Sequence, residues 1–201
     1  MFDAMVFTSL RFVAGARFEY SEQKLDSYST TNEPINVDDY YRDWLPSLNM
    51  TYILNPNMNL RFGFNKTLAR PEFREIAPFT YFDFIANVLV KGNPDLIRTL
   101  VDNYDLRFEI FPGAAELLAV SVFYKYFRNP IERTLSASSS NEPTRSYANA
   151  ETAQNIGAEL EVRKGLGFIG NAFTNFSAVA NITFIRSEVQ FETDGQSSYQ
   201  R

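Results

Sequence analysis

Glu159 and Glu161 stand two residues apart, and so do Asp105, Arg107 and Glu109. On a strand that spacing puts the carboxylates on one face, where a pair can perform the acid–base work of glycoside hydrolysis. In the wall of a polar lumen the same pattern is a set of structural charges matched to Arg107 and Arg163. Asp38-Asp39 and the Asp102/Asp105 pair offer oxygen donors for Ca²⁺, but their spacing completes no ligand loop, and a solvated acidic cluster accounts for them. The chain has no Cys and no His. Thiol nucleophiles, disulfides, Cys/His zinc sites and a histidine general base are thereby excluded within it. It carries no phosphate loop, nucleophile elbow or zinc motif. A net charge of −5 supplies no basic field for nucleic acid. The expectation is a non-enzyme without metal or cofactor. The side chains best suited to binding are aromatic. Tyr40, Tyr41 and Trp44 close one long polar stretch, and Phe79, Tyr81, Phe82 and Phe84 surround Asp83 in another. Such rings suit flat organic ligands or sugars; they equally suit a membrane-interface girdle or loop self-packing.

The elements that must position these residues alternate with period two. Leu10, Phe12, Ala14, Ala16, Phe18 and Tyr20 alternate with Arg11, Val13, Gly15, Arg17 and Glu19. Leu60, Phe62, Phe64 and Leu68 do so with Arg61, Gly63, Asn65 and Thr67, and only Lys66 breaks the apolar row. The same holds over Tyr104–Phe111, Ile156–Arg163 and Phe176–Ile185, and more weakly over Leu48–Leu54 and Leu118–Tyr126. About seven strands follow, each with one apolar and one polar face. Ile97, Leu100, Val101 and Tyr104 have helical spacing, and Pro71–Ile76 can open a helical turn with Pro71 at its first position. Four Asn-x-Ser/Thr sequons, at Asn49, Asn65, Asn175 and Asn181, fall within expected strands on the polar parity and need no glycan to explain them.

Short turns at Asn55–Asn59, Phe111–Glu116 and Gly165–Asn171 alternate with long connections at Ser21–Asp43, Pro71–Thr99 and Asn129–Glu151, the last containing the run Ser136–Ser140. Antiparallel neighbours then have short turns at one end and long loops at the other. No apolar run reaches the ~18 residues of a spanning helix. Long strands, one apolar parity and two classes of connection mark a transmembrane barrel. The competing fold is a soluble β-sandwich, with the apolar faces packed against each other in a dry core.

A set of motifs in order carries a resemblance. Leu45-Pro46-Ser47-Leu48-Asn49 precedes Leu60–Leu68 with Ala69-Arg70-Pro71-Glu72-Phe73. Gly92-Asn93-Pro94-Asp95-Leu96, Asn103-Tyr104-Asp105-Leu106, Val122-Phe123-Tyr124-Lys125 with Asn129-Pro130-Ile131, and Asn155-Ile156-Gly157-Ala158-Glu159-Leu160-Glu161 follow. Together they resemble the barrel of TonB-dependent outer-membrane receptors of a Bacteroidetes-like type. Thr99 stands where that family usually has an acidic residue. The resemblance implies an all-β, antiparallel, transmembrane β-barrel segment spanning 1–201, part of a barrel of about 22 strands. The plug domain, the TonB-contacting N-terminal part and the C-terminal strands are absent from it. It implies a bacterial outer-membrane, multi-pass location and TonB-energised uptake of an iron chelate (siderophore), cobalamin or an oligosaccharide. Its partners would be that nutrient, the TonB complex and outer-membrane lipid. A passive porin or structural barrel, and a soluble carbohydrate-binding sandwich, are the competing functions.

Overall fold

The computed structural model describes residues 1–28, 32–137, 143–193 and 196–200. The chain opens with β1 (Phe2–Val6), β2 (Leu10–Tyr28), β3 (Pro34–Asn55) and β4 (Met58–Ala69). A short helix α1 (Phe73–Ile76) leads to β5 (Thr80–Asp83), β6 (Val88–Lys91), β7 (Thr99–Ile110) and β8 (Leu117–Arg128). Then come β9 (Ile131–Ala137), β10 (Pro143–Asn149), β11 (Thr152–Gly165), β12 (Ser177–Thr193) and β13 (Gln196–Gln200). Nine of these form one sheet in the order β1-β2-β3-β4-β7-β8-β11-β12-β13, every pairing antiparallel. Its seven long strands are those read from the alternation, with β1 and β13 added as short edges. No pairing joins β1 to β13 among the described residues, so the sheet is open.

Register turns the alternation into rows. One row across eight strands reads Ala4, Phe12, Met50, Phe62, Leu106, Val122, Ala158, Phe184. The next, toward the short turns, reads Val6, Leu10, Tyr52, Leu60, Phe108, Val120, Leu160, Ile182. Toward the long connections the row becomes aromatic at Phe64, Tyr104 and Tyr124, whose successive ring centroids lie 5.1 and 6.3 Å apart. One step further it turns polar at Lys66, Asp102, Tyr126, Gln154 and Glu188. Lys66, the break in the apolar row, stands beyond the aromatic rings and pairs with Asp102 at 3.6 Å.

The apolar face is the exposed one. Leu106, Val122, Ile182 and Phe184 are 43, 48, 50 and 73% exposed, whereas Asn103 and Glu109 on the polar face are 8 and 6% exposed. The sandwich alternative requires the reverse, since its apolar faces meet in a dry core, and it is overturned. The polar face is held by charge pairing across strands. Arg61 and Arg107 each bind Glu109 at 2.8 Å, and Arg107 reaches Glu161 at 2.7 Å. Phe123 intrudes on this face beside Gly157, where a Cβ would meet its ring at 2.3 Å.

Four expectations change. Ser21–Asp43 is a β2–β3 hairpin in continuous register from Leu10↔Tyr52 to Tyr28↔Pro34, with no long loop. Beyond the apolar band neither face need be apolar, so the hydrophobic period vanishes while backbone pairing continues. The helical spacing at Ile97–Tyr104 belongs to a chain entering β7 from a turn. The helical turn after Pro71 exists, but Glu72 is its N-cap and Pro71 lies outside it. Asn175 lies in a turn ahead of β12 rather than in a strand. Residues 138–140 of the serine run lie outside the described residues.

The exposed parity predicts a one-sided response to charge. Leu106→Arg or Ile182→Arg in the full-length protein should cost about 2–4 kcal/mol of folding free energy in bilayers. Asn181→Arg on the opposite parity should cost well under half as much in the same denaturant titration.

Candidate ligand-binding site

The two long connections that remain are folded. β5 and β6 form a hairpin, β9 and β10 another, and β6 meets β10 in parallel through Thr144↔Leu89 and Arg145↔Val90. Ile76, Val88, Val90, Leu96 and Tyr147 form a small core there, against which Leu25 of the long hairpin, Tyr81 and Ile131 pack. Burial of Val88, Val90 and Ile76 supplies the hydrophobic gain that strands of four residues cannot find locally.

The sequence motifs turn out to be its fastenings. The Asn93 side chain donates to the Tyr147 carbonyl at 2.9 Å and accepts from the Asp95 N–H, while the Asn93 N–H donates to the Glu75 carbonyl. Gly92 passes so close to α1 that a Cβ would sit 2.1 Å from the Ala77 carbonyl oxygen. Asn149 accepts from the Ile97 N–H and donates to the Ile97 and Asn129 carbonyls. Arg70 binds Glu19 at 2.8 Å and Gln23 donates to the Pro71 carbonyl, tying the β2–β3 hairpin to the start of α1. Glu72 and Glu75 close a capping box over α1. Arg98 holds buried Asp43 at 2.8 Å and lies 4.2 Å from the Tyr41 ring centre.

The expected ligand residues separate into two places. Tyr40 and Trp44 lie on β3 with the outward parity, Trp44 against Phe18 with ring centres 5.0 Å apart. Tyr41 has the opposite parity and stacks beneath Arg98. Phe79, Tyr81, Phe82 and Asp83 belong to the small sheet and its approach, and the last three line an open cleft of about 410 Å³. Arg74, Phe84, Ile85, Val90, Arg133, Arg145, Ser146 and Tyr147 complete its wall. Phe82 and Phe84 meet edge to face at 5.1 Å, and Arg74 lies 5.9 Å from the Tyr81 ring centre. Asp83 accepts the Ile85 and Ala86 N–H groups at 3.0 and 3.1 Å. Those backbone donors, with Arg145 and Arg133 nearby, hold its carboxyl below the usual carboxylate range. Burial, with Tyr81 beside it, pushes the Tyr147 phenol up.

The arginines of this cleft were missed from the sequence. Arg74, Arg133 and Arg145 come from three separate elements: Arg133 and Arg145 meet across the β9–β10 hairpin, and Arg74 of α1 joins them in the same cleft. The carboxylates first considered for acid–base chemistry are elsewhere, on the polar face of the large sheet, where Glu109 and Glu161 are salt-bridged to arginines.

Residues 5–200 match the profile of the outer membrane protein beta-barrel family. Among solved structures, the siderophore receptor PirA from Pseudomonas aeruginosa superposes with a TM-score of 0.63 at 15% identity, over 98% of this chain and 45% of that one. A double mutant of the Serratia marcescens hemophore receptor HasR, in complex with its hemophore HasA and heme, gives 0.62 at 14% identity over 90 and 31%. The copper transporter OprC gives 0.66 at 13% identity over 93 and 28%. The chain thus spans less than half the length of these proteins, and at such identities the likeness is one of fold. No curated protein sequence matches it.

Two outcomes test the fastenings. Gly92→Ala and Asn149→Ala should each loosen the small sheet, Asn149→Ala by about 1–3 kcal/mol for its orphaned partners. Limited proteolysis of the full-length protein in detergent should then cut within residues 78–98 or 129–150 while the large sheet stays intact. The depressed carboxyl of Asp83 makes its turn stable above the ordinary carboxylate range and weaker as pH falls through the lower folded value. The amide resonances of Ile85 and Ala86 should titrate together with that carboxyl, and Asp83→Ala should abolish the coupling.

Proposed function

Because this chain belongs to the outer membrane protein beta-barrel family, we propose that it is part of the barrel of an energised nutrient receptor of the outer membrane, crossing it several times. Its strands would complete a barrel of about 22 strands by pairing β1 and β13 with further strands. The small sheet would stand on the cell exterior and take up a scarce nutrient: an iron chelate, cobalamin or an oligosaccharide. Energy would come from the TonB complex through a plug-bearing N-terminal part outside this sequence. The chain would bind and pass its ligand without covalent chemistry.

The observation that carries this reading is the ordered sheet made from both remaining long connections, set beyond the aromatic end of an outward apolar band. A passive pore needs an open lumen and loops that constrict it; a cored, fastened sheet with an open cleft is a binding structure. Tyr41, Phe79, Tyr81, Phe82 and Asp83 lie in or beside this region, and Tyr40 and Trp44 fit better as outward rings near the membrane surface.

Cells expressing the full-length protein should take up the nutrient against a gradient, and a protonophore should stop uptake. Replacing residues 80–91 by a short Gly/Ser linker should cut uptake at least tenfold with unchanged surface abundance. Uptake indifferent to the protonophore would favour the passive porin.

A further inference from the structure

We propose that the cleft between the two folded connections takes a soluble anion of two or more negative charges carried on a flat aromatic frame. Arg74, Arg133 and Arg145 are its charge partners, and Tyr81, Phe82 and Phe84 its aromatic wall. The inference rests on the receptor reading only in taking this cleft to face the exterior.

Arginines without a salt bridge are concentrated at this one place. Among the described residues, the arginines without an ion-pair carboxylate are Arg42, Arg74, Arg133 and Arg145. Three of those four line this one cleft. Elsewhere the fold matches guanidinium to carboxylate almost without exception, so a cluster of three with no salt bridge among the described residues marks a place where further counter-charge arrives from outside. Among the described residues the wall holds one carboxylate, Asp83, which feels Arg133 and Arg145 but accepts its hydrogen bonds from two backbone N–H groups of its own hairpin, so one negative charge stands against three positive ones. A cleft focuses the field of like charges and raises the local concentration of counter-ions.

Donors outweigh acceptors in the cleft. Guanidinium groups only donate, and their planar forks match the paired oxygens of carboxylates and similar anions. A neutral sugar needs acceptors as well as donors for its hydroxyls, and here the donors dominate. The β5–β6 hairpin tip adds exposed aromatic surface. Phe84 is 86% exposed and Ile85 fully so, next to the Phe82–Phe84 edge-to-face pair. Aromatic rings exposed beside a cationic cleft offer large apolar area to a flat partner. An anionic lipid headgroup would share the charge but has no use for these rings.

The test is calorimetric binding to the full-length protein in detergent, with benzene-1,3,5-tricarboxylate as the probe. Citrate carries similar charge without a ring, inorganic phosphate stands in for a lipid headgroup, and maltotriose is a neutral sugar. The tricarboxylate should bind at least tenfold tighter than citrate or phosphate, and maltotriose should not bind measurably. Arg133→Gln with Arg145→Gln should weaken it at least tenfold and flatten its salt dependence, whereas the Lys variants should retain part of it. Phe84→Ala should weaken the tricarboxylate and leave citrate unchanged. Variants are compared only where their gel mobility shifts on heating like that of the parent protein. Binding unaffected by the double Gln variant, citrate or phosphate binding as tightly as the ringed probe, or maltotriose binding tighter, would overturn the inference. Protonophore-sensitive uptake of a neutral nutrient would then leave the receptor reading standing. Arginine-dependent binding with passive uptake would sink the receptor reading and spare this one.

Discussion

A peptide group in hydrocarbon has no water to bond, so a chain crossing a bilayer must satisfy its N–H and C=O groups within the protein. Much else in this structure depends on that constraint. It explains why the strands pair without interruption through the apolar band, with a single irregularity at Ile53/Asn55 beside a turn. It also fixes which face is which. With backbone groups paired along the sheet, the side chains alone decide the environment, and the rows through Phe62–Leu106 and Leu60–Phe108 present an unbroken apolar surface outward. The polar face then carries the charges. Arg61, Glu109, Arg107 and Glu161 form a chain that runs from β4 through β7 to β11, each charge holding the next and supplying buried Glu109 with its counter-charges.

Beyond the aromatic row the constraint lapses, and the fold changes character. Water is available, strands no longer need an apolar side, and the β2–β3 hairpin runs on with Lys24 near Glu22 and Asp38. Order there comes from a second, smaller core and from fastenings made by Asn93, Asn149, Gly92 and Arg70. Gly92, Asn93 and Arg70 belong to the motifs that carried the resemblance, and Asn149 lies outside them. Asn93 and Asn149 hold two distant connections together, and Arg70 ties the β2–β3 hairpin to the start of α1.

The large sheet was legible because period two is a local signal, and a one-residue slip would have put Phe62 and Leu106 on the polar side. The small sheet was not. β5 and β6 have four residues each, too few for periodicity, and the pairing of β6 with β10 joins segments more than fifty residues apart. The apolar run Val88-Leu89-Val90 was the available signal. For the same reason the aromatic half of the cleft was visible in the sequence while the arginine half was not: the aromatics are neighbours along the chain, whereas Arg74 and Arg145 meet only through tertiary pairing. The extended hairpin escaped notice because its segments are polar on both faces, which resembles a loop until the backbone register is seen.

On this fold, alternate side chains of β7 should face lipid and a polar interior. Spin labels placed singly at residues 103–110 of β7, in the full-length protein in bilayers, read this directly through collisions with oxygen and with a water-soluble nickel chelate. Oxygen contact should peak at 104, 106, 108 and 110 and fall at the odd positions, with the nickel chelate failing to follow that pattern. Absence of a two-residue period, or oxygen maxima at 105, 107 and 109, would contradict the account.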